Sequence, residues 1–305
     1  MNCSFLGYYG KIYCEDSEGR MPLNTLFSSG FGEYDLMKKH ISTIILILIF
    51  FVGLLVLLYP IVSDWWNSKV QTKAIAAYEE NISEMNEADY EAEFAKADAY
   101  NASLREISMP LLNYEQAAGY EDILNVMGNG MIGYVTIDKI NVKLPIYHGT
   151  SDNILNVAVG NLRGSSLPVG GIGTHSVLSA HRGLPSAKLF SDLDKLKERD
   201  TFTITVLNRL LTYEVDHISI VEPDKIEELY IEEDKDYCTL MTCTPYGINT
   251  HRLLVRAHRI ENEEGAVVLT NDAYELDSLI LVPVVAAPLL LILFVFILIK
   301  YRKKR

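Results

Sequence analysis

The sequence predicts a mainly β protein: a closed or nearly closed β-barrel with N-terminal helices, flanked by two transmembrane helices. Three observations predict it. Two runs, Ile41 to Val62 and Leu279 to Ile299, are uncharged and long enough, at about 1.5 Å per helical residue, to cross a hydrocarbon core of roughly 30 Å. From Gly133 onward the chain breaks into short β-branched runs separated by Gly, Pro and Asn, the texture of closely spaced strands. Between these regions lies an Ala- and Glu-rich stretch without Gly or Pro, "QTKAIAAYEENISEMNEADYEAEFAKADAYNASLREI", with apolar residues at helical intervals.

The elements follow in chain order. Residues 1–40 form an N-terminal cytoplasmic segment whose first 36 residues show no clear periodicity, and "MKKHIST" makes an ordinary start, so translation is expected to begin at Met37. The first span, 41–62, is followed by the bulky "YPIVSDWWN", which offers no cleavage site and leaves a retained anchor. Tyr59, Trp65 and Trp66 fit an interfacial aromatic belt. Lys38 and Lys39 before this span, and "KYRKKR" after the second, put both flanks in the cytoplasm by the positive-inside rule. Residues 63–278 then lie outside the cell membrane in a two-pass topology. Within them, 63–130 is a helical extension, with one or two helices over about 67–107, 131–262 is the barrel and 263–278 a linker. Residues 279–299 are the second span and 300–305 a basic tail.

The outer part contains the strand-like runs "GYVTIDKINVKLPIYHG", "SVLSAHRG", "DTFTITVLNRLLTYEVDHISIVEP" and "DYCTLMTCTPYGINTHRLLVRAHRI", with only brief helical patches such as "AKLFSDLDKLK". In the third, "NR" reads as a hairpin turn. The chain of 305 residues is 49% hydrophobic with a formal charge of -13, which excludes a disordered tail and, without a basic stripe, offers nothing to nucleic acid. No Gly-rich phosphate loop and no Cys/His zinc spacing is present, so neither cofactor nor metal is expected.

The chemistry centres on "TLMTCTPYGINTHRLLVRAHR". As a hairpin, "YCTLMTC" leads up, "TPYGINTH" turns and "RLLVRAHRI" returns, which brings Arg252 to the same loop mouth as Cys243. Cys238 and Cys243 fall on opposite strand faces and cannot pair, so Cys243 is a free thiol and Cys238 a core residue, while Cys3 and Cys14 lie on the reducing side. A guanidinium can stabilise a thiolate or an oxyanion, and a thiol attacking a carbonyl needs a proton carrier. His148, His175, His181, His217, His251 and His258 are all candidates; His181 stands where a strand gives way to a loop.

These residues resemble a known family. "TLMTC" followed by an arginine on the next strand is similar to the signature of sortases, and "CTPYGINTHRLLVR" resembles the class C, pilus-assembling group of Gram-positive bacteria. The likeness covers residues 131–260, and a second span is usual in that class. The resemblance implies an eight-stranded sortase-type barrel and assigns His181, Cys243 and Arg252 as the catalytic residues. Cys243 would attack the Thr-Gly bond of an LPXTG-type sorting signal and form a thioester, which a lysine amine of a pilin subunit would open. The partners implied are pilin or surface-protein precursors with such a signal, a lysine acceptor and the membrane. Ser179 and Thr242 flank these residues and read either as lining the peptide groove or as ordinary strand residues, and Tyr246, His251 and Arg256 as shaping the turn and the adjacent strand.

The resemblance also implies a lid with an Asp-Pro-aromatic motif over the cysteine. Here "SMPLLNYEQ" keeps Pro110 but has Met109 for the aspartate and Leu111 for the aromatic, so two readings stand: a lid that is weakly latched or uses Met109 as an apolar plug, and an ordinary linker that merely contains proline. Asp138 in "IDKI" replaces a usual proline far from the catalytic motifs. Two other readings stay open: a sortase that attaches proteins to peptidoglycan, and a non-enzymatic two-pass membrane protein with a β-barrel binding domain.

Overall fold

The computed structural model describes residues 2–5, 12–16, 19–22 and 24–262, and residues 288, 290–292, 294 and 295 of the C-terminal apolar run. The chain divides into two compact units, Met1–Leu58 with Val282–Arg305, and Tyr59–Leu281.

In the first unit, β1 (Asn2–Phe5), β2 (Ile12–Asp16) and β3 (Gly19–Pro22) form an antiparallel sheet in a stretch where the sequence showed no periodicity. Helix α1 (Asn24–Ser83) follows and carries the first apolar run. Its side chains there face outward, Leu55 at 67% and Val56 at 69% exposure, as lipid contact requires. It is the one helix among the described residues long and apolar enough to cross a membrane. Most of the expected second span lies outside the described residues, as do the linker 263–278 and the tail 300–305; the described part is helical, and Phe294 stacks on Phe50 at 4.2 Å.

In the second unit, α1 runs on unbroken to Ser83, so the anchor and the first acidic helix are one element. Asn86 then caps α2 (Glu87–Leu104) through a reciprocal capping box with Asp89. Phe94, Ala97, Tyr100, Asn101 and Leu104 recur at helical spacing and are the residues α2 buries. The Asn101 amide bonds both backbone groups of Leu167 and fixes α2 to the loop there.

The barrel strands are β4 (Met131–Ile137), β5 (Val142–His148), β6 (Val159–Asn161), β7 (Thr174–Ser179), β8 (Thr201–Val206), β9 (Arg209–Val221), β10 (Asp236–Thr244) and β11 (His251–Ile260), with a one-turn helix, α3 (Asp152–Leu155), before β6. They close in the order β10-β11-β9-β8-β4-β5-β6-β7. Phe190, Phe202, Ile204, Tyr213, Leu240 and Val255 are among the side chains filling the interior. The patch "AKLFSDLDKLK" supplies only a 3-10 turn at Leu193–Lys195.

The β8–β9 turn falls at residues 207–208, one place earlier than the "NR" reading. Leu207 takes a positive φ of 50° there, which a leucine rarely does. Its side chain is buried at 1% exposure and its N–H donates to the Tyr78 hydroxyl at 2.9 Å, so packing against α1 overrides local turn preference. That hydroxyl also donates to the Ile132 carbonyl at 2.7 Å. Asp64, Asn67 and Gln71 lie on the same face of α1, spaced three and four apart. Asp64 accepts the Lys188 N–H, Asn67 donates to the Ser186 carbonyl, and Gln71 donates to the Val157 carbonyl, each at 2.7 Å.

Candidate active site

Along β10 the side chains alternate as a strand demands: Cys238, Leu240 and Thr242 are buried, while Met241 and Cys243 are partly exposed on the outer face. Both cysteines are free. Burial, and then the charge of Asp236, push the Cys238 thiol well above its ordinary range, which makes it a core residue rather than a nucleophile.

β11 returns antiparallel to β10 with Cys243 directly opposite Arg252, a pairing that sets Cβ atoms about 5 Å apart. The guanidinium donates through Nη1 to the carbonyls of His251 at 3.2 Å and Asn249 at 3.4 Å, which curls it toward the hairpin loop.

On the other side, β7 runs parallel to β10, with Ser179 level with Met241. Two residues further along each chain come His181 and Cys243. His181 thus follows the end of β7 beside the end of β10, and Arg252 lies across β10's other edge from Cys243, so the three residues come from adjacent segments in a row. The Ala180 N–H donates to the Met241 carbonyl at 3.2 Å and the Thr242 hydroxyl donates to the Ala180 carbonyl at 2.8 Å, which keeps the two chains together up to His181. Past it, the Phe190 N–H donates to the His181 carbonyl at 3.2 Å.

Thr242 therefore does not line a groove. It is 1% exposed, points to the opposite face from Cys243, and its hydroxyl is spent on the backbone before His181. Ser179 is partly exposed on the same face as Cys243, beside the row.

The segment 108–113 is a closed turn: the N–H groups of Leu112 and Asn113 donate to the Met109 carbonyl, and the Asn113 amide donates to the Ser108 carbonyl at 2.6 Å. Its backbone rests on Gly164, where a Cβ would lie 2.3 Å from the Pro110 oxygen. The apolar contact is made by Leu111 and not by the expected Met109, which is 50% exposed with φ of 52°. Leu111 packs against the small cluster of Val177, Leu229 and Leu254, joined by Met241. Val177 precedes Ser179 by two residues and Leu254 follows Arg252 by two, so this cluster is the apolar floor next to the row.

Sequence reasoning passed over Arg182. Its side chain is 10% exposed and donates through Nη2 to Asp194 at 2.5 Å, through Nε to the Ser191 carbonyl at 3.2 Å and through Nη1 to the Thr244 hydroxyl at 3.3 Å. Asp194 and Thr244 come from separate stretches of chain, so no local motif announced this contact set.

The closed barrel carries a cysteine on β10, an arginine opposite it on β11 and a histidine just past the end of the parallel neighbour β7. Comparison with known proteins gives the family. The family described as the sortase domain matches residues 135–260. The crystal structure of sortase C1 from Streptococcus agalactiae is 48% identical, with a TM-score of 0.57, over 63% of this chain and 100% of that one. Sortase C of Streptococcus pneumoniae, a structure described as giving insights into pilin substrate specificity, is 44% identical with a TM-score of 0.56, over 62% of this chain and 97% of that one. Clostridium perfringens sortase C with the C-terminal cell wall sorting motif is 44% identical with a TM-score of 0.54, over 63% of this chain and all of that one. The chain belongs to the sortase family of cysteine transpeptidases, and its structural neighbours are class C members.

Proposed function

We propose that this chain is a membrane-anchored class C sortase that joins pilin subunits. The observation that carries the reading is the row His181, Cys243, Arg252 on adjacent chain segments. The Cys243 sulfur attacks the threonine carbonyl of an LPXTG-type signal, and the Arg252 donors hold the oxygen as negative charge gathers on it. The C–N bond to glycine breaks as His181 gives a proton to the leaving amine, and a thioester remains. A pilin lysine amine then attacks the thioester, His181 takes its proton, and Cys243 leaves as the thiolate while an isopeptide bond forms.

The apolar run of α1 supports a membrane anchor, and the second apolar run a second span, with both ends cytoplasmic and residues 63–278 outside. Residues 108–113 act as a lid held by Leu111 and by the close seat on Gly164.

The full chain in detergent, incubated with an LPXTG-type peptide and no amine, should gain an acyl mass that is absent in Cys243→Ala. Its release by a lysine-bearing pilin fragment tests polymerisation. Release only by a peptidoglycan amine would favour the wall-attaching reading, which the lid without its Asp and aromatic keeps in play. No adduct, even after deletion of residues 108–113, would overturn both.

A further inference from the structure

Arg182 joins chain segments that otherwise part company at the row. The β7–β10 ladder ends at the Ser179–Met241 pair, and beyond it the chain after His181 turns away into the loop that leads to β8. Arg182 is bonded to His181 by one peptide link, and its guanidinium reaches the Thr244 hydroxyl, one peptide link from Cys243. The same group is anchored from behind by Asp194 and by the Ser191 carbonyl. Its plane also lies toward the Tyr246 ring, 6.0 Å from the centroid. Tyr246 in turn covers Gly183, where φ is +78° and a Cβ would come 3.1 Å from the ring. The Gly183 N–H donates to the Ser191 hydroxyl at 3.2 Å, so both residues after His181 are tied to the 191–194 turn.

We infer that Arg182 is a positioning residue that sets the separation of His181 from Cys243 by bracing the loop of one against the strand end of the other. The inference rests on the proposed roles of those two residues. His181 must deliver a proton to an amine nitrogen bonded to the carbon that Cys243 attacks, so its ring needs a fixed reach from the sulfur. A misplacement of about 1 Å is enough to lower a rate roughly 100-fold. Arginine suits the task because one rigid fork makes three directional bonds at once, which a lysine ammonium on a flexible stem cannot reproduce. Arg182 itself is engaged on every side and touches no reacting atom.

The test uses the full chain in detergent, a sorting-signal peptide and saturating amine, with Arg182→Lys, Thr244→Val and the double variant. Arg182→Lys should lower kcat by roughly 10- to 100-fold with KM within about twofold. Thr244→Val, which removes one bond of the brace and keeps the ion pair with Asp194, should lower kcat less, and the double variant should be no worse than Arg182→Lys alone. Wild-type kcat in Arg182→Lys, a raised KM with unchanged kcat, or fully additive effects would overturn the inference. A loss that tracks melting temperature in both single variants would overturn it too, because a structural role alone explains that pattern. His181→Ala separates the two claims: if it still transfers peptide at the wild-type rate, the assigned role of His181 fails first, whatever Arg182→Lys does.

Discussion

Cys243 and Arg252 are register partners, Cα opposite Cα across β10 and β11, so the barrel's own hydrogen-bond ladder fixes the sulfur against the guanidinium stem. Neither residue depends on a loop for its place. The tip of Arg252 spends its Nη1 on the carbonyls of Asn249 and His251.

Removing the guanidinium should therefore damage chemistry and spare the fold. Arg252→Ala is expected to lower the acylation rate by about 10²–10³, the usual loss for an oxyanion donor, with a melting temperature close to wild type. Single-turnover acylation followed by mass, alongside a thermal melt, checks both halves.

Residues 110 and 111 rest directly on Gly164. An alanine there meets the Pro110 oxygen and the Leu111 Cα, and its φ of +83° adds backbone strain. Gly164→Ala should lift residues 108–113 and raise the alkylation rate of Cys243 by iodoacetamide toward that of the 108–113 deletion. Equal rates in wild type, Gly164→Ala and the deletion would show that this segment covers nothing.

The two barrel cysteines should part sharply in reactivity. Cys238 is fully buried and its thiol is held protonated by that burial, whereas Cys243 is partly exposed. Peptide mapping after native alkylation should find Cys243 modified and Cys238 untouched until denaturant is added.

His175 gives the fold a pH dependence separate from catalysis. Its ring lies between the Tyr230 carbonyl at Nδ1, 2.9 Å, and the Thr239 hydroxyl at Nε2, 2.7 Å, and burial lowers its pKa to about 4. The folded protein thus resists a proton that the unfolded chain accepts from about pH 6.5 downward. The stability due to neutral His175 is complete above about pH 6.5 and is lost as pH falls toward 4, by roughly 2–3 kcal/mol at pH 4.5. Urea melts at pH 7 and 4.5 should show that loss in wild type and a smaller one in His175→Gln, which cannot titrate.

The facing of Cys243 and Arg252 was legible because "TLMTC" and an arginine across a Gly- and Asn-bearing turn read as a hairpin, whereas the choice of His181 among six histidines came from the resemblance. The same hairpin held a signal that went unused, since period-2 alternation puts Thr242 on the face opposite Cys243 and so denies it a groove. Leu207 could not be read as a turn residue, because its positive φ is imposed by Tyr78, far away in the chain. The continuity of α1 through Ser83 and the seat of Leu111 on Val177 and Leu254 are likewise tertiary facts. Arg182 looked like any basic residue beside a histidine until Asp194 and Thr244 arrived from elsewhere.

The order of strands around the barrel also sets an order in time. β10 fits between β7 and β11, and β11 between β10 and β9, so the last two strands in the chain are the ones that seal the cylinder. Cys243 and Arg252 ride on that seal. A chain still short of these strands has His181 but neither Cys243 nor Arg252. Cys243 and Arg252 thus meet in the hairpin whose pairing with β7 and β9 closes the barrel.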